Sequence, residues 1–146
     1  MSGSLFADTG YWVALLNPKD DLHDIAKSVS SSVAGRRIVT TDFVLVEVLN
    51  YFAERGDNVR SSAALFVEKI KDDPNITVEP ATRDGFNSAI DDYKKYNDKE
   101  YSHTDCHSFA VMRRVATKEA LAYDHHFRQA GFRPLLREAE EQQQTR

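Results

Sequence analysis

Cysteine is almost missing from this 146-residue sequence, and the single one present, Cys106, excludes an internal disulfide. Also missing is any apolar run approaching the roughly 18 to 20 residues that a membrane-spanning helix needs. The stretch from Met1 to Leu5 has no basic segment followed by an apolar one, so nothing there reads as a secretory signal and a cytoplasmic, reducing location is expected. Positive charge is in deficit: 19 lysines and arginines against 23 aspartates and glutamates leave a formal net charge of -4. That balance argues against a protein that holds nucleic acid by bulk electrostatics, and leaves such a role only to a local basic patch or a bridging cation. No internal repeat or linker divides the chain, and its length suits one compact core.

What is present is a repeated grammar of short apolar runs and longer amphipathic segments. Ser4-Leu5-Phe6-Ala7 is a strand candidate ending at Asp8, and Tyr11 to Leu16 reads as helix until Asn17-Pro18 breaks it. Leu22, Ile25, Ala26, Val29 and Val33 are spaced three and four apart, which predicts a helix over 21–34 with Gly35 behind it. A second strand at 37–40 precedes a helix to about Arg55 that Thr41 or Asp42 can cap. Further helices are predicted over 59–72, 82–96 and 103–117, with strands at 76–78 and 120–123, the latter ending at Asp124. Phe127 falls in a helical turn closed by Gly131, and 133–136 is the candidate last strand. Short strands alternating with helices predict an α/β domain with a parallel sheet covered on both faces.

In such sheets ligands bind outside the carboxyl ends of the strands, which directs attention to the acids there. Asp8 and Asp124 each close a strand candidate, although an aspartate in that position can equally do no more than cap a helix or shape a turn. Glu47 interrupts Phe43-Val44-Leu45-Val46-Glu47-Val48-Leu49, and a carboxylate in so apolar a segment is costly to bury unless it is paired or coordinates an ion. The bland alternative makes Glu47, Asn50 and Glu54 one narrow solvated stripe. Asp105 lies three residues after Ser102, a spacing that resembles a capping box.

The segment YSHTDCHSFAVM, residues 101–112, tempts a zinc reading, since His103 and His107 at i, i+4 could share an ion with Cys106. At about 100° per residue, His107 points roughly 160° away from Asp105 and Cys106 about 100° from both, so these groups do not converge on one ion. His107 instead shares a face with Arg114 and Lys118, which predicts a solvated position, while Cys106 reads as a small buried hydrophobe. Asp105 shares its side with Phe109, Met112 and Ala116 and is expected to point toward the sheet. The pair His125-His126 is left without a role, beyond a polar position for His126 near Asp124.

Four segments in this order resemble the PIN-domain ribonucleases, in particular the VapC-type toxins of prokaryotic toxin-antitoxin pairs. They are FADTGYWVALLN at 6–17, TTDFVLVEVLN at 40–50, HTDCHSFAVM at 103–112 and ALAYDHHFRQAGF at 120–132. The resemblance implies a PIN-like three-layer α/β/α domain over 1–137 with a short central parallel sheet in strand order 3-2-1-4-5, followed by a polar, flexible tail over 138–146. It also implies an acidic active site, which falls on Asp8, Glu47, Asp105 and Asp124, with Thr9 and Thr104 beside two of them to orient the acids or a water. Four carboxylates in one crevice repel one another unless a hard cation neutralises them. Mg2+ or Mn2+ is therefore the expected cofactor, held principally by Asp8 and Asp105, with Asp124 completing the set or binding a second ion. Glu47 either orients or deprotonates the attacking water or ligates the metal, directly or through a water.

The activity implied is metal-dependent cleavage of RNA, with a cognate antitoxin and a homodimer as partners and no membrane. Arg36, Arg37, Arg113, Arg114, Arg128 and Arg133 are candidates to grip RNA phosphates. Two rivals stand beside this reading. A receiver-type phosphoacceptor domain would need an aspartate ending the third strand and a lysine ending the fifth, where the sequence has ITVEP and RPLLR. A catalytically silent PIN-fold module that only binds protein or RNA would have no need of all four acids.

Overall fold

The computed structural model describes residues 3–145. In chain order the elements are β1 (Leu5–Ala7), α1 (Thr9–Leu16), α2 (His23–Ser32), β2 (Ile38–Thr41), α3 (Asp42–Tyr51), α4 (Asp57–Asp72) and β3 (Ile76–Glu79). They continue as α5 (Arg83–Lys95), α6 (His103–Arg114), β4 (Glu119–Leu121), α7 (His125–Gln129), β5 (Arg133–Pro134) and α8 (Leu135–Gln144). The strands form one five-stranded parallel sheet in the order β3-β2-β1-β4-β5, as the resemblance implies.

Successive side chains of a strand point to opposite faces of its sheet. Leu5, Phe6 and Ala7 are all 0% exposed, so β1 is covered on both faces by helices. Registers of Phe6 with Val39 on one side and with Ala120 on the other place β1 at the centre. The chain leaves β1 in one direction toward β2 and β3, and later fills the other side with β4 and β5. The point where that order reverses lies between β1 and β4, and it puts the ends of these two strands beside each other. The Asp8 backbone N–H donates to the Leu121 carbonyl at 3.1 Å, so Asp8 is the first residue past the end of β1 and is anchored on β4. A buried relay fixes the same end from the β2 side. The Thr40 hydroxyl donates to the Ala7 carbonyl at 2.8 Å and accepts from the Trp12 indole at 3.3 Å.

Helix starts follow local chemistry. Thr41, Thr82 and Ser102 accept hydrogen bonds from backbone amides in the first turns of α3, α5 and α6, satisfying donors that the helix itself leaves open. Gly35 and Gly131 turn the chain after α2 and α7 at φ values of 88° and 93°, a region that favours glycine.

The C-terminal expectation needs correction. The strand predicted over 133–136 stops at Pro134, and the segment from Glu138, expected as a flexible tail, is the body of α8. Leu136 is completely buried, and Tyr123, Arg128 and Arg133 hydrogen-bond to Glu140, Glu141 and Glu138, respectively. Polar composition concealed a helix anchored by Leu136, with Leu135 and Ala139 packed against the core, and held by side-chain hydrogen bonds.

Candidate active site

The carboxyl ends of β1 and β4 open into a crevice of about 660 Å³. It is lined by all four predicted acids, Asp8, Glu47, Asp105 and Asp124, together with Thr9, Ser102, His126 and Arg137. Glu100 and His125 also reach it, although neither was singled out as a site residue from sequence.

Each acid arrives by a different local route. Asp8 occupies the position before α1, yet its side chain makes no capping hydrogen bond, so the bland capping role does not account for it. Burial pushes its carboxyl up to about 7, opposed by the Thr9 backbone N–H and reinforced by the charges of Asp105, Glu47 and Asp124. Glu47 is partly buried on α3 rather than part of a solvated stripe, and its Oε1 accepts a 2.5 Å hydrogen bond from the Thr9 hydroxyl. Thr104, the other threonine considered, is not among the residues lining the crevice.

Asp105 completes the capping box that its spacing suggested. Its backbone N–H donates to the Ser102 hydroxyl at 3.0 Å, and its Oδ2 accepts from the Ser102 backbone N–H at 3.1 Å. The box does more than start α6, because it holds the buried Asp105 over the crevice. Burial raises the pKa of Asp105, the Ser102 N–H counteracts this, and the nearby Asp124 charge raises it further. Asp124 caps α7, its Oδ1 accepting from the His126 backbone N–H at 2.9 Å.

His126 links the last two acids, a connection that sequence left undrawn. Its Nδ1 lies 3.1 Å from Asp105 Oδ2 and 3.3 Å from Asp124 Oδ1, with the edge of the ring packed on Tyr101. Among the described residues, the group of three potential ligand atoms that all lie within 4.8 Å of one another is Asp124, His125 and His126. The four carboxylates thus share a crevice without forming so tight a cluster among themselves, and His126 Nδ1 is occupied with two of them.

The other residues of the 101–112 segment sort differently. Cys106 is buried as expected, and His103 hydrogen-bonds through Nε2 to the Phe86 carbonyl at 3.0 Å. His107, expected on a solvated face, is only 6% exposed. Helix α5 packs over that face, where Gly85 leaves room beside the imidazole, and Phe43 meets the ring edge-on at 4.7 Å. Burial lowers the His107 pKa, and its Nδ1 has no partner. Among the described residues, His103, Cys106 and His107 do not form a set of ligand atoms within 4.8 Å of one another.

Five of the six arginines proposed to grip RNA are committed elsewhere. Arg36 pairs with Glu119, Arg114 with Glu79, Arg128 with Glu141, and Arg133 with Glu119 and Glu138. Arg37 donates to the Pro74 carbonyl and the Thr77 hydroxyl. The Glu79 that ends β3 is engaged in this way, and no lysine ends β5, so the receiver-type alternative fails on both requirements.

A parallel sheet in the order 3-2-1-4-5 with acids gathered over the ends of its first and fourth strands defines a PIN-like domain. No family model matches the chain. It is 33% identical over 128 residues to VapC20, the 23S rRNA-specific endonuclease of Mycobacterium tuberculosis, found alike in two strains; the match covers 88% of this chain and 95% of that protein. The chain belongs to the VapC-type PIN-domain toxin ribonucleases. The crystal structure of M. tuberculosis VapC20, a sarcin-ricin loop cleaving toxin, superposes with a TM-score of 0.80 at 31% identity, over 89% of this chain and 97% of that one. FitAcB from Neisseria gonorrhoeae shares the fold, with a TM-score of 0.62 at 15% identity, over 89% of this chain and 97% of that one.

Proposed function

We propose that this chain hydrolyses RNA phosphodiester bonds in the crevice of Asp8, Glu47, Asp105 and Asp124, with a divalent cation of the Mg2+ or Mn2+ type as cofactor. The observation that carries this reading is how the carboxylate oxygens are used. In Glu47, Asp105 and Asp124 one oxygen is engaged by the protein, and the second has no protein hydrogen bond among the described residues. Asp8 stands among other negative charges, with its carboxyl pushed up to about 7. Oriented oxygen donors with uncompensated charge suit a hard cation.

Asp8, Asp105 and Asp124 would hold the ion, with Glu47 completing the set. When bound, it supplies Lewis-acid polarisation of a phosphoryl oxygen and acidifies water. The chain's own residues supply orientation. Thr9 fixes Glu47 through Oε1, which leaves Oε2 as the atom to orient or deprotonate the attacking water. His126 keeps Asp105 and Asp124 in one mutual arrangement, and the Ser102 box fixes Asp105 from the other side.

The relationship to VapC20 supports ribosomal RNA, and within it the sarcin-ricin loop, as the first substrate to test. A toxin's role requires a cognate antitoxin, and a homodimer is part of the same proposal. Val46, Leu49 and Tyr51 on α3 and Val59 and Leu65 on α4 are exposed, which supports protein docking on this side of the molecule. Among the described residues, no helix is long and apolar enough to cross a membrane. The intact acid set disfavours the silent-module alternative.

The test is mapping of 5′ ends produced from ribosomal RNA by wild type and by Asp8→Asn, with and without EDTA. Wild type alone is expected to cut, and only with metal. Equal cleavage by both proteins, or indifference to EDTA, sinks the proposal.

A further inference from the structure

We infer that Arg137 is the phosphate-gripping residue of the crevice, an arginine held among the carboxylates to bind the RNA backbone. This rests on the nuclease reading above. Arg137 stands in the first turn of α8 and lines the same crevice as Asp8, Asp105 and Asp124. Its Nε donates to the Tyr123 carbonyl at 2.7 Å, and the guanidinium carbon lies 4.3 Å from the centre of the Tyr123 ring. That ring is fixed in turn, because its hydroxyl donates to Glu140 at 2.6 Å.

The guanidinium is thus tethered at Nε and over one face. Among the described residues its two Nη groups have no hydrogen-bond partner, and no carboxylate lies within 4.0 Å. Arg36, Arg114, Arg128 and Arg133 all spend their Nη atoms on glutamates. A planar fork with two open donors matches the oxygens of a phosphodiester, and a stacked arginine loses less freedom on binding than a mobile one. The charge balance gives it a task. Apart from the two histidines, Arg137 is the basic side chain that lines a crevice carrying five acids, Glu100 included, and RNA approaching them is repelled.

The test is equilibrium binding of a fluorescein-labelled RNA hairpin of sarcin-ricin loop sequence to the Asp8→Asn chain, with and without Arg137→Gln, over roughly 50 to 200 mM salt. Removing one phosphate contact is expected to weaken binding about tenfold and to flatten the slope of log affinity against log salt by roughly 0.7 to 0.9. In the cleaving protein, KM should rise by a similar factor while kcat changes less than about threefold. Arg137→Lys keeps the charge and should keep the slope while losing part of the affinity. Lys71→Gln removes an equal charge from an exposed position on α4 and should change neither.

Wild-type affinity and slope in Arg137→Gln would overturn the inference. So would Arg137→Lys that binds as poorly as Arg137→Gln and melts earlier, since the Tyr123 contact would then be structural only. The two readings fail separately. A hairpin bound with the Arg137-dependent slope but never cut removes the nuclease reading alone, and a hairpin cut with unchanged KM by Arg137→Gln removes this one alone.

Discussion

The two ends of the sheet use the same residue type in opposite ways. At the amino end, Glu119 at the start of β4 sits between Arg36 at 2.7 Å and Arg133 at 3.2 Å, and Arg133 reaches Glu138 at 2.8 Å. At the carboxyl end, Asp8, Glu47, Asp105 and Asp124 line one crevice, with His126 as the bridge between two of them. A carboxylate whose charge is met by a guanidinium is finished as a structural element. One whose charge is left open remains available to an ion or a reacting group, and such groups concentrate where chemistry is done.

Removing a carboxylate from the carboxyl end is the strongest way to break that contrast. Asp8→Asn and Asp105→Asn preserve shape and are expected to lower kcat for RNA cleavage by about 10²- to 10³-fold with the fold intact, because each removes charge stabilisation at the reacting centre. Initial rates on a labelled RNA and circular dichroism check both halves. If the Asn variants retain even half of the wild-type rate, the carboxyl end is not a reaction centre.

The legible part of this site was the part written in local patterns. Asp8 ends a three-residue buried strand and Asp105 stands at the fourth position of a capping box, so each carries a signature within its own segment. Contacts that only tertiary packing creates were out of reach. His126 meets an aspartate 21 residues earlier, and nothing in the spelling DHHF announces it. His107 follows a solvated helical stripe, yet α5 lies over it, so periodicity measured along one helix misjudged a face that a second helix covers. Arg137 was hidden because it falls between a strand expected over 133–136 and a tail expected from Glu138, whereas one helix, anchored in the core by Leu136 with Leu135 and Ala139 packed beside it, runs through both.

Titration separates the two ends next. The Asp8 carboxyl is raised from 3.8 to about 7, so the folded chain holds this proton more tightly than the unfolded one. Its contribution to stability is therefore fully present below about pH 3.8 and is lost as pH rises through about 7, a loss on the order of 4 kcal/mol at most, and Asp105 acts in the same direction. Metal-free protein is expected to show a falling urea midpoint between about pH 4 and 7, recovered at neutral pH by Mg2+ or Mn2+, with a flatter profile in Asp8→Asn. Identical profiles for wild type and Asp8→Asn would show that the carboxyl is not strained by its surroundings.

Within the carboxyl end, Thr9→Val asks whether a neutral group matters as a positioner. The substitution removes the hydroxyl that holds Glu47 Oε1 and replaces it with a methyl of similar size. A roughly tenfold fall in kcat with KM nearly unchanged is expected, corresponding to about 1.4 kcal/mol of lost orientation. A rise in KM with kcat nearly unchanged would place Thr9 in substrate binding instead.

The smallest effect belongs to the compensated end. Glu119→Gln leaves Arg36 and Arg133 without their shared carboxylate, but both guanidinium groups keep other partners, the Gly3 carbonyl for Arg36 and Glu138 for Arg133. Partly exposed ion pairs contribute little individually, so a loss of about 1 kcal/mol in unfolding free energy is expected. Cleavage should be unchanged, because β4 carries the network at its first residue and the crevice beyond its last. A cleavage defect in Glu119→Gln larger than its stability loss explains would mean that the two ends are coupled through β4, and the division of labour between them would fall.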